Sequence, residues 1–278
     1  SLYREIVHRA LAEDLRSGDV TTDATIPIDQ RAIGSLITNS SCTLAGVEVA
    51  VEAFMQRDPD AAVSRLHADG DRCKSGDTVV RITGSASALL SAERTALNFL
   101  QRMSGTATLT QKFVEAVASR AIILDTRKTT PTLRVLEKYA VRAGGGVNHR
   151  LALDDGVLIK DNHIQANRFR EMGLKDVIQL ALASVSHTIK VEVEVETMEQ
   201  VAEALEAGAH IIMLDNMSVP EMADAMLVIG DQAIVEASGG ITYDTVRAVA
   251  ETGVDLISIG GLTHSVDALD ISLDLEFD

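Results

Sequence analysis

The sequence predicts an α/β protein whose larger part is an incomplete (β/α) barrel of mostly parallel strands, and three observations support this. Beyond about residue 105, short apolar runs alternate with helix-like segments. Alternation of this kind builds parallel strands joined by right-handed crossovers. The helix-like segments TMEQVAEALEAG and TYDTVRAVAETG each end in Gly, a common helix stop. The six runs are AIILDT, GVLIKD, IKVEVEV, HIIMLD, AIVEAS and DLISIGG.

The first hundred residues mix helical and strand patterns less regularly. Helices are predicted over 2–15, 46–56 and 87–103, and turns at Asp58-Pro59 and Asp69-Gly70. RAIGSLITNS and DTVVRITG read as strands of an open sheet. The last residues, ALDISLDLEFD, alternate in the same way, so we expect them to return as a strand of this first domain.

Composition predicts a cytoplasmic globular protein with an aliphatic core. The chain has 278 residues, three Tyr, five Phe and no Trp, and no apolar run approaches the roughly 20 residues of a membrane span. Its N-terminus reads as an amphipathic helix and not as a signal peptide. The formal charge of −16 argues against nucleic acid or an anionic membrane as partner. Cys42 and Cys73 lack metal-ligand spacing and need not pair, which fits a reducing compartment.

Basic residues gather in one segment of this acidic chain. Between Arg127 and Lys160 the charge is +4, so the rest of the chain carries −20. Such clustering indicates a pocket that attracts anions. A solvated helical face would account for Arg134, Lys138 and Arg142, but not for cations that follow apolar runs. The basic residues are Arg127, Lys128, Arg134, Lys138, Arg142, Arg150 and Lys160.

Polar or glycine clusters follow five of the predicted strands. In a parallel barrel the active site lies at the carboxyl ends of the strands, so these side chains are expected to converge there. They are Asp125, Arg127 and Lys128; Lys160, Asp161, Asn162 and His163; Asp215 and Asn216; Ser238, Gly239 and Gly240; and Gly260 and Gly261.

The run VEVEVE places three glutamates on one face of a strand. Glu192, Glu194 and Glu196 alternate with valines, so they point into the barrel if the valines pack on the outer helices. Buried carboxylates need partners, such as lysines, a cationic transition state or a metal-bound sugar. An edge strand with solvated glutamates is the alternative.

Paired glycines near the end fit a phosphate site. Ser238, Gly239 and Gly240 precede a predicted helix, and free amides at a helix start attract phosphate. Gly260 and Gly261 follow the last strand, the usual place of a barrel phosphate site. Glycine is also the default turn residue, so each pair alone is weak evidence.

At these residues the chain closely resembles the quinolinate phosphoribosyltransferase family. The resemblance implies an N-terminal α/β sandwich over residues 1–104, rejoined by 268–278, and an incomplete barrel over 105–267. It also implies a homodimer, in some cases a hexamer. The motifs that carry it are GDVTTDATIP, LAGVEVA, AERTALNFLQRMSGTAT, DTRKTTPTLRVLEKYAVRAGGGVNHR, LIKDNHI, VEVEVE, IIMLDN, EASGGI and SIGGLTHS.

The resemblance also implies the activity and the site. The expected reaction transfers phosphoribosyl from phosphoribosyl pyrophosphate to quinolinate, with decarboxylation and with Mg²⁺ as cofactor. Glu194 and Asp215 would face the ribose and its metal. Residues expected to be catalytic are Lys128, Lys160, Glu194 and Asp215. Quinolinate would be bound by Arg127, Lys128, His149, Arg150 and Lys160, with Arg94 from the neighbouring subunit, and phosphate by Ser238, Gly239, Gly260, Gly261 and His264.

Two other readings stay open at this point. A related phosphoribosyltransferase could use another acceptor, since acceptor identity depends on details of the pocket. Alternatively, a catalytically silent barrel could only bind phosphorylated metabolites. Glu194 and Asp215 argue against the silent barrel, because a binder of two anions gains nothing from buried carboxylates.

Overall fold

The computed structural model describes residues 2–277 and is a mixed α/β structure. In chain order its first elements are α1 (Leu2–Leu15), α2 (Val20–Thr25), β1 (Arg31–Thr38), β2 (Cys42–Thr43), α3 (Val47–Arg57), β3 (Ala62–Arg65), β4 (Arg72–Cys73), β5 (Thr78–Ser85) and α4 (Ala86–Val117). Next come β6 (Ile122–Leu124), α5 (Arg134–Ala143), β7 (Val157–Ile159), α6 (Asp161–Asn167), a 3-10 helix (Arg168–Arg170), α7 (Leu174–Ser184), β8 (Val191–Val195) and α8 (Met198–Ala207). The last are β9 (Ile211–Asp215), α9 (Val219–Ile229), β10 (Ile234–Ser238), α10 (Tyr243–Glu251), β11 (Leu256–Ser258), α11 (Gly261–His264) and β12 (Ile271–Phe277).

All six predicted apolar runs form one parallel sheet. Its strand order is β6-β11-β10-β9-β8-β7. β6 and β7 stand at its two edges and do not pair with each other in the described residues. Beside β6 a single parallel bridge joins Leu124 to Val147, so the chain that precedes β7 partly covers this seam. The fold class, with an incomplete barrel, is confirmed.

A separate antiparallel sheet has the order β12-β1-β5-β3. β12 pairs with β1 from Ala32–Phe277 to Thr38–Ile271, so the end of the chain lies in the same sheet as the first strand. Leu36, Val80 and Ile82 are fully buried in the cluster that this sheet forms with α3 and α4. Aliphatic side chains thus build this core, as the composition predicted.

The predicted helix over 87–103 is too short, because α4 continues to Val117. Ser104, Gly105 and Thr110 look like helix breakers but have specific partners. The Ser104 hydroxyl bonds the main chain of Ala45, and the Thr110 hydroxyl bonds the Thr106 carbonyl. A Cβ on Gly105 would lie 2.2 Å from the carbonyl oxygen of Asp267, so a glycine permits this close approach.

The chain divides into two compact units. The first contains residues up to Gln111, Thr129–Gly145 and the residues from Gly261 onward, and the second contains Lys112–Lys128 and Gly146–Gly260. Of the predicted domain of 105–267, residues 105–111 and 261–267 therefore belong to the first unit, as does Thr129–Gly145, which contains α5. The reason is packing, since Leu136 and Ala140 of α5 belong to the core of the first unit.

Two of the three basic residues assigned to a solvated face of α5 are not fully exposed. Arg142 is exposed, Arg134 is half-buried and Lys138 is only 2% exposed. The prediction is therefore wrong for Lys138. Periodicity did not reveal it because Glu137 and Lys138, both charged, are buried side by side in the helix.

Candidate active site

A cavity of about 510 Å³ lies at the carboxyl ends of the parallel strands, within the second unit. Nine of the residues predicted for the site line it: Arg127, Lys128, His149, Arg150, Lys160, Glu194, Asp215, Ser238 and Gly239. Thr126, Leu158, Met213, Asn216, Gly240 and Ser258 complete the lining. Residues on or directly after all six parallel strands, together with His149 and Arg150 from the segment before β7, therefore meet in one pocket. We call it the barrel pocket.

Four predicted residues do not line the barrel pocket. Gly260 ends the second unit just after β11. Gly261 and His264 form the short helix α11 of the first unit. Arg94 lies on α4, where it lines a separate cavity of about 420 Å³ with Arg9 and other residues of the first unit. The roles of these residues stay predictions.

Two guanidinium groups share the cationic wall of the barrel pocket. Burial lowers the pKa of Arg150, and the nearby positive charge of Arg127 lowers it further. Nη1 of Arg150 donates to the Gly156 carbonyl at 3.2 Å. Two half-buried cations held this close favour an anion between them, because a bound carboxylate relieves both their desolvation and their mutual repulsion.

Buried Asp125 holds the chain segment that carries this wall. Its Oδ1 accepts the main-chain N–H of His149 at 2.9 Å, and its Oδ2 accepts the Asn148 amide at 2.5 Å. Asp125 directly follows β6, so it ties the segment to the sheet edge. Asp125 is thus a support for the wall, with its own side chain absent from the lining of the pocket.

Acidic groups also line the barrel pocket. Glu194 projects from β8 and forms an ion pair with Nζ of Lys160. Asp215 ends β9, and its Oδ2 accepts the side-chain amide of Asn216 at 2.8 Å. Val191, Val193 and Val195 are fully buried on the other face of β8, as the alternating pattern predicted. Glu196 lies beyond the end of β8 and is exposed, so the expectation that it points into the barrel is wrong.

The carboxylates of Glu194 and Asp215 fit a role toward Mg²⁺. Carboxylate oxygens suit this ion, which usually keeps several waters and is shared with substrate phosphates. Glu194 already forms an ion pair with Lys160, whereas Asp215 accepts a hydrogen bond from the neutral amide of Asn216, so Asp215 keeps more of its negative charge for a metal. This arrangement suits a metal brought in with a phosphorylated substrate better than a closed protein cage.

The loop after β10 has a strained conformation that only glycine adopts easily. Gly239 and Gly240 have φ values of +86° and +63°. A Cβ on Gly239 would lie 2.3 Å from Oδ1 of Asn216. α10 begins three residues after Gly240, at Tyr243, so this loop leads directly into a helix start. The phosphate role of the loop stays a prediction.

We expect Gly239→Ala to raise the KM for the phosphorylated substrate at least tenfold. The added methyl group must displace Asn216 or change the turn, which moves the loop amides away from a bound phosphate. Steady-state kinetics at saturating acceptor measures this KM. Gly76→Ala, which also has positive φ but meets nothing within 4 Å, is the control for backbone strain alone. An unchanged KM in the Gly239 variant would contradict the phosphate assignment.

Three titratable side chains, those of His149, Glu192 and Glu236, lie close together next to the barrel pocket, which His149 also lines. Nε2 of His149 lies 3.3 Å from Oε2 of Glu192 and 3.5 Å from Oε2 of Glu236. Both glutamates are buried, and the Oε1 atom of each has no hydrogen-bond partner among residues 2–277. Burial, followed by the negative charge of Glu192, raises the pKa of Glu236 to about 7.

This raised pKa predicts how stability changes with pH. A carboxyl whose folded pKa exceeds its ordinary 4.5 makes the fold relatively more stable at low pH, and that advantage is lost as pH rises through about 7. The free energy of unfolding of wild type, relative to Glu236→Gln, should thus fall by about 3 kcal/mol between pH 4.5 and pH 8. Denaturant melts at both pH values measure it, with exposed Glu203→Gln as control. A difference independent of pH would contradict the raised pKa.

A second group of potential metal ligands is His67, Cys73 and Asp77, in the first unit. Sequence spacing did not reveal it, since the three residues come from the β3–β4 and β4–β5 turns and from β4 itself. Burial, followed by the neighbouring Cys42, raises the pKa of the Cys73 thiol to about 12. The thiolate is the form that binds metals, so this environment disfavours a metal site.

Comparison with known proteins agrees with this geometry. Residues 106–274 match the family model described as quinolinate phosphoribosyl transferase, C-terminal domain. Residues 19–104 match the model of the N-terminal domain of the same family. The chain belongs to the quinolinate phosphoribosyltransferase family. The two matches together cover almost the whole sequence, including every residue predicted for the site.

Relatives of this family member are similar along nearly their full lengths. The probable nicotinate-nucleotide pyrophosphorylase [carboxylating] of Bacillus subtilis is 41% identical over 273 residues, which are 98% of this chain and 93% of the relative. That of Mycobacterium leprae is 41% identical over 280 residues, which are 98% and 96% of the two chains. The crystal structure of NadC from Streptococcus pyogenes has a TM-score of 0.94 and 41% identity, covering 99% of this chain and 96% of that one.

Sequence reasoning missed three residues around the site of this phosphoribosyltransferase family member. Asn216 was noted only as polar, yet it contacts both Asp215 and the Gly239 turn. Ser258 donates to Ser238 at 3.1 Å. Glu236 is the third, and its signal was available, because it precedes Ser238 by two residues and so shares its face of β10.

Proposed function

We propose that this chain transfers phosphoribosyl from phosphoribosyl pyrophosphate to quinolinate, with decarboxylation to nicotinate mononucleotide, pyrophosphate and CO₂, in NAD biosynthesis. One observation carries the proposal. The same pocket is lined by two guanidinium groups, those of Arg127 and Arg150, and by two carboxylates, those of Glu194 and Asp215. The names of the relatives support the choice of reaction.

The cations would bind the acceptor. Quinolinate carries two carboxylates, which match the planar donor groups of Arg127 and Arg150. Lys128, after β6, and Lys160, after β7, add point charges near the carboxyl ends of these strands. Together these groups hold the pyridine ring with its nitrogen toward the ribose carbon, so the acceptor and the donor meet in an oriented pair.

The carboxylates would act on the donor. As pyrophosphate leaves, positive charge develops on the ribosyl carbon, and Glu194 and Asp215 stabilise it in a pocket with little water. Mg²⁺, held by Asp215 and Glu194 together with the substrate's phosphates, would neutralise the leaving group. The Gly239–Gly240 loop would bind the phosphate through its amides. The pyridinium formed by attack then stabilises the electron pair left on the adjacent ring carbon when its carboxylate leaves as CO₂, and that carbon takes up a proton from water. This scheme requires neither a covalent enzyme intermediate nor a general base.

A homodimer is part of the proposal, with Arg94 reaching the acceptor of the neighbouring subunit. In support, Arg94 lines a cavity whose other basic residues are Arg9 and Arg102. A cytoplasmic location is also proposed, because Cys42 and Cys73 stay free thiols although they face each other across β2 and β4. Among the described residues, no helix has the length and apolar character needed to span a membrane.

Turnover assays test the proposed function. The protein is mixed with phosphoribosyl pyrophosphate, Mg²⁺ and either quinolinate or nicotinate, and product is followed by absorbance together with CO₂ release. We expect nicotinate mononucleotide from quinolinate alone, with one CO₂ for each product. Turnover of nicotinate, or no product from either acceptor, would overturn the proposal. Omitting Mg²⁺ and adding EDTA should abolish the reaction.

A further inference from the structure

The hydrogen bonds of His149 fix its tautomer. Its Nδ1 accepts the main-chain N–H of Arg150 at 2.8 Å, so Nδ1 carries no proton. A neutral ring then has its proton on Nε2. That nitrogen faces carboxylate oxygens of Glu192 and Glu236. The network therefore assigns a neutral ring that donates from Nε2 to the glutamates and accepts at Nδ1 from the main-chain N–H of Arg150.

We infer that Glu192 and Glu236 are positioning residues for Arg150, and that they act through the ring of His149. They accept the Nε2 proton and so hold Nδ1 as an acceptor for the Arg150 amide. This amide fixes where the Arg150 side chain enters the barrel pocket. The inference rests on the proposed function only in naming quinolinate as the anion that Arg150 binds.

Two other roles for His149 are inconsistent with this network. His149, Glu192 and Glu236 have ligand atoms within 4.8 Å of one another, which is close enough for a metal ion. A protonated Nε2 has no lone pair for a metal, however. Nor does the neutral ring offer a charged N–H to a substrate carboxylate. The predicted contact of His149 with quinolinate would then be that of a neutral ring in the lining of the barrel pocket.

Four strands contribute to the support of this ring. Asp125, after β6, holds the main chain of His149. Glu192 comes from β8 and Glu236 from β10, and β9 separates these two strands in the sheet. On β11, Ser258 lies close enough to Glu236 to oppose the rise in its pKa that burial causes. Contacts from several separate strands are expected around a side chain that must be held in one position, because rigid elements fix the groups that support it.

Carboxylates suit this role better than amides. An ionised carboxylate only accepts hydrogen bonds, so it forces Nε2 to be the donor. The amide of a glutamine can turn its NH₂ toward Nε2, which permits the opposite tautomer. In that tautomer the Nδ1–H would face the Arg150 N–H, and the hydrogen bond would be lost. Glutamine variants therefore change the proton pattern while preserving shape.

The first test reads the tautomer and needs no substrate. In protein labelled with ¹⁵N-histidine, NMR at pH 7.5 should show His149 as neutral with its proton on Nε2, the signal being assigned by its loss in His149→Asn. In Glu192→Gln/Glu236→Gln the Nδ1-protonated form should appear. A protonated imidazolium, or an Nδ1–H form in wild type, would overturn the inference whatever the enzyme's activity.

The second test measures how the network affects the binding of quinolinate by Arg150. Calorimetric Kd values for quinolinate should rise at least tenfold in the double glutamine variant, while the KM for phosphoribosyl pyrophosphate changes less than twofold. His149→Asn retains an acceptor near the Nδ1 position, so it should bind quinolinate at least fivefold more tightly than His149→Leu. Equal loss in both, or an unchanged Kd in the double variant, would overturn the positioning role. Absence of quinolinate binding by wild type would instead refute the proposed function.

Discussion

Replacing Glu194 by Gln is expected to lower kcat by roughly 100- to 1000-fold while leaving the Kd of quinolinate within about threefold of wild type. The amide keeps the size of the side chain and removes the charge that would stabilise the positive ribosyl carbon. Loss of the ion pair with Lys160 also frees that cation for the acceptor, so quinolinate binding should not weaken. Steady-state kinetics and calorimetry together separate the two effects.

The same strand pattern offers a matched control for this variant. Glu196 belongs to the VEVEVE repeat but is exposed beyond the end of β8. Glu196→Gln removes the same charge from the chain and should retain kcat within about twofold. If Glu194→Gln retains more than a fifth of wild-type kcat, the carboxylate does not stabilise the transition state.

Replacing Arg150 by Lys is expected to lower kcat/KM for quinolinate by about 30- to 100-fold, or about 2–3 kcal/mol. A lysine conserves the charge but loses the planar group of donors that can bind a carboxylate at two points. It also loses the hydrogen bond from Nη1 to the Gly156 carbonyl, which orients the guanidinium. The effect should appear mainly as a higher KM for quinolinate, with the KM for phosphoribosyl pyrophosphate little changed.

A surface arginine provides the comparison for Arg150→Lys. Arg247 forms an exposed pair with Glu251 on α10, and Arg247→Lys should leave every kinetic constant within about twofold. A drop of less than threefold in the Arg150 variant would mean that charge alone, and not guanidinium geometry, binds the acceptor.

The barrel and most of its pocket could be predicted from the sequence because both depend on local order. Apolar runs that alternate with helices fix a parallel sheet, and a parallel sheet fixes which residues lie at its active end. Asp215 and Ser238 were found in this way, each at the carboxyl end of its own strand, and Glu194 was found from the alternation in VEVEVE. Long-range pairing was not needed for this step.

Other features depend on contacts between distant parts of the chain. α4 continues through Gly105 because that glycine allows close approach of Asp267, over 160 residues later in the chain. Lys138 is buried because α5 packs into the core of the first unit. The pairing of Glu192 with Glu236 needs the register of three strands. None of these contacts leaves a local pattern in the sequence.

Because β6 and β7 do not pair at the seam, a residue that recognises the acceptor can lie there without being part of the sheet. Arg150 lies on a segment that covers the seam, attached through a bridge at Val147 and through Asp125, and it forms no strand of the ladder. Substitutions in this short segment can therefore change which anion is accepted without breaking the pairing between two strands of the sheet. In a closed eight-stranded barrel the same exchange would require rebuilding the wall itself.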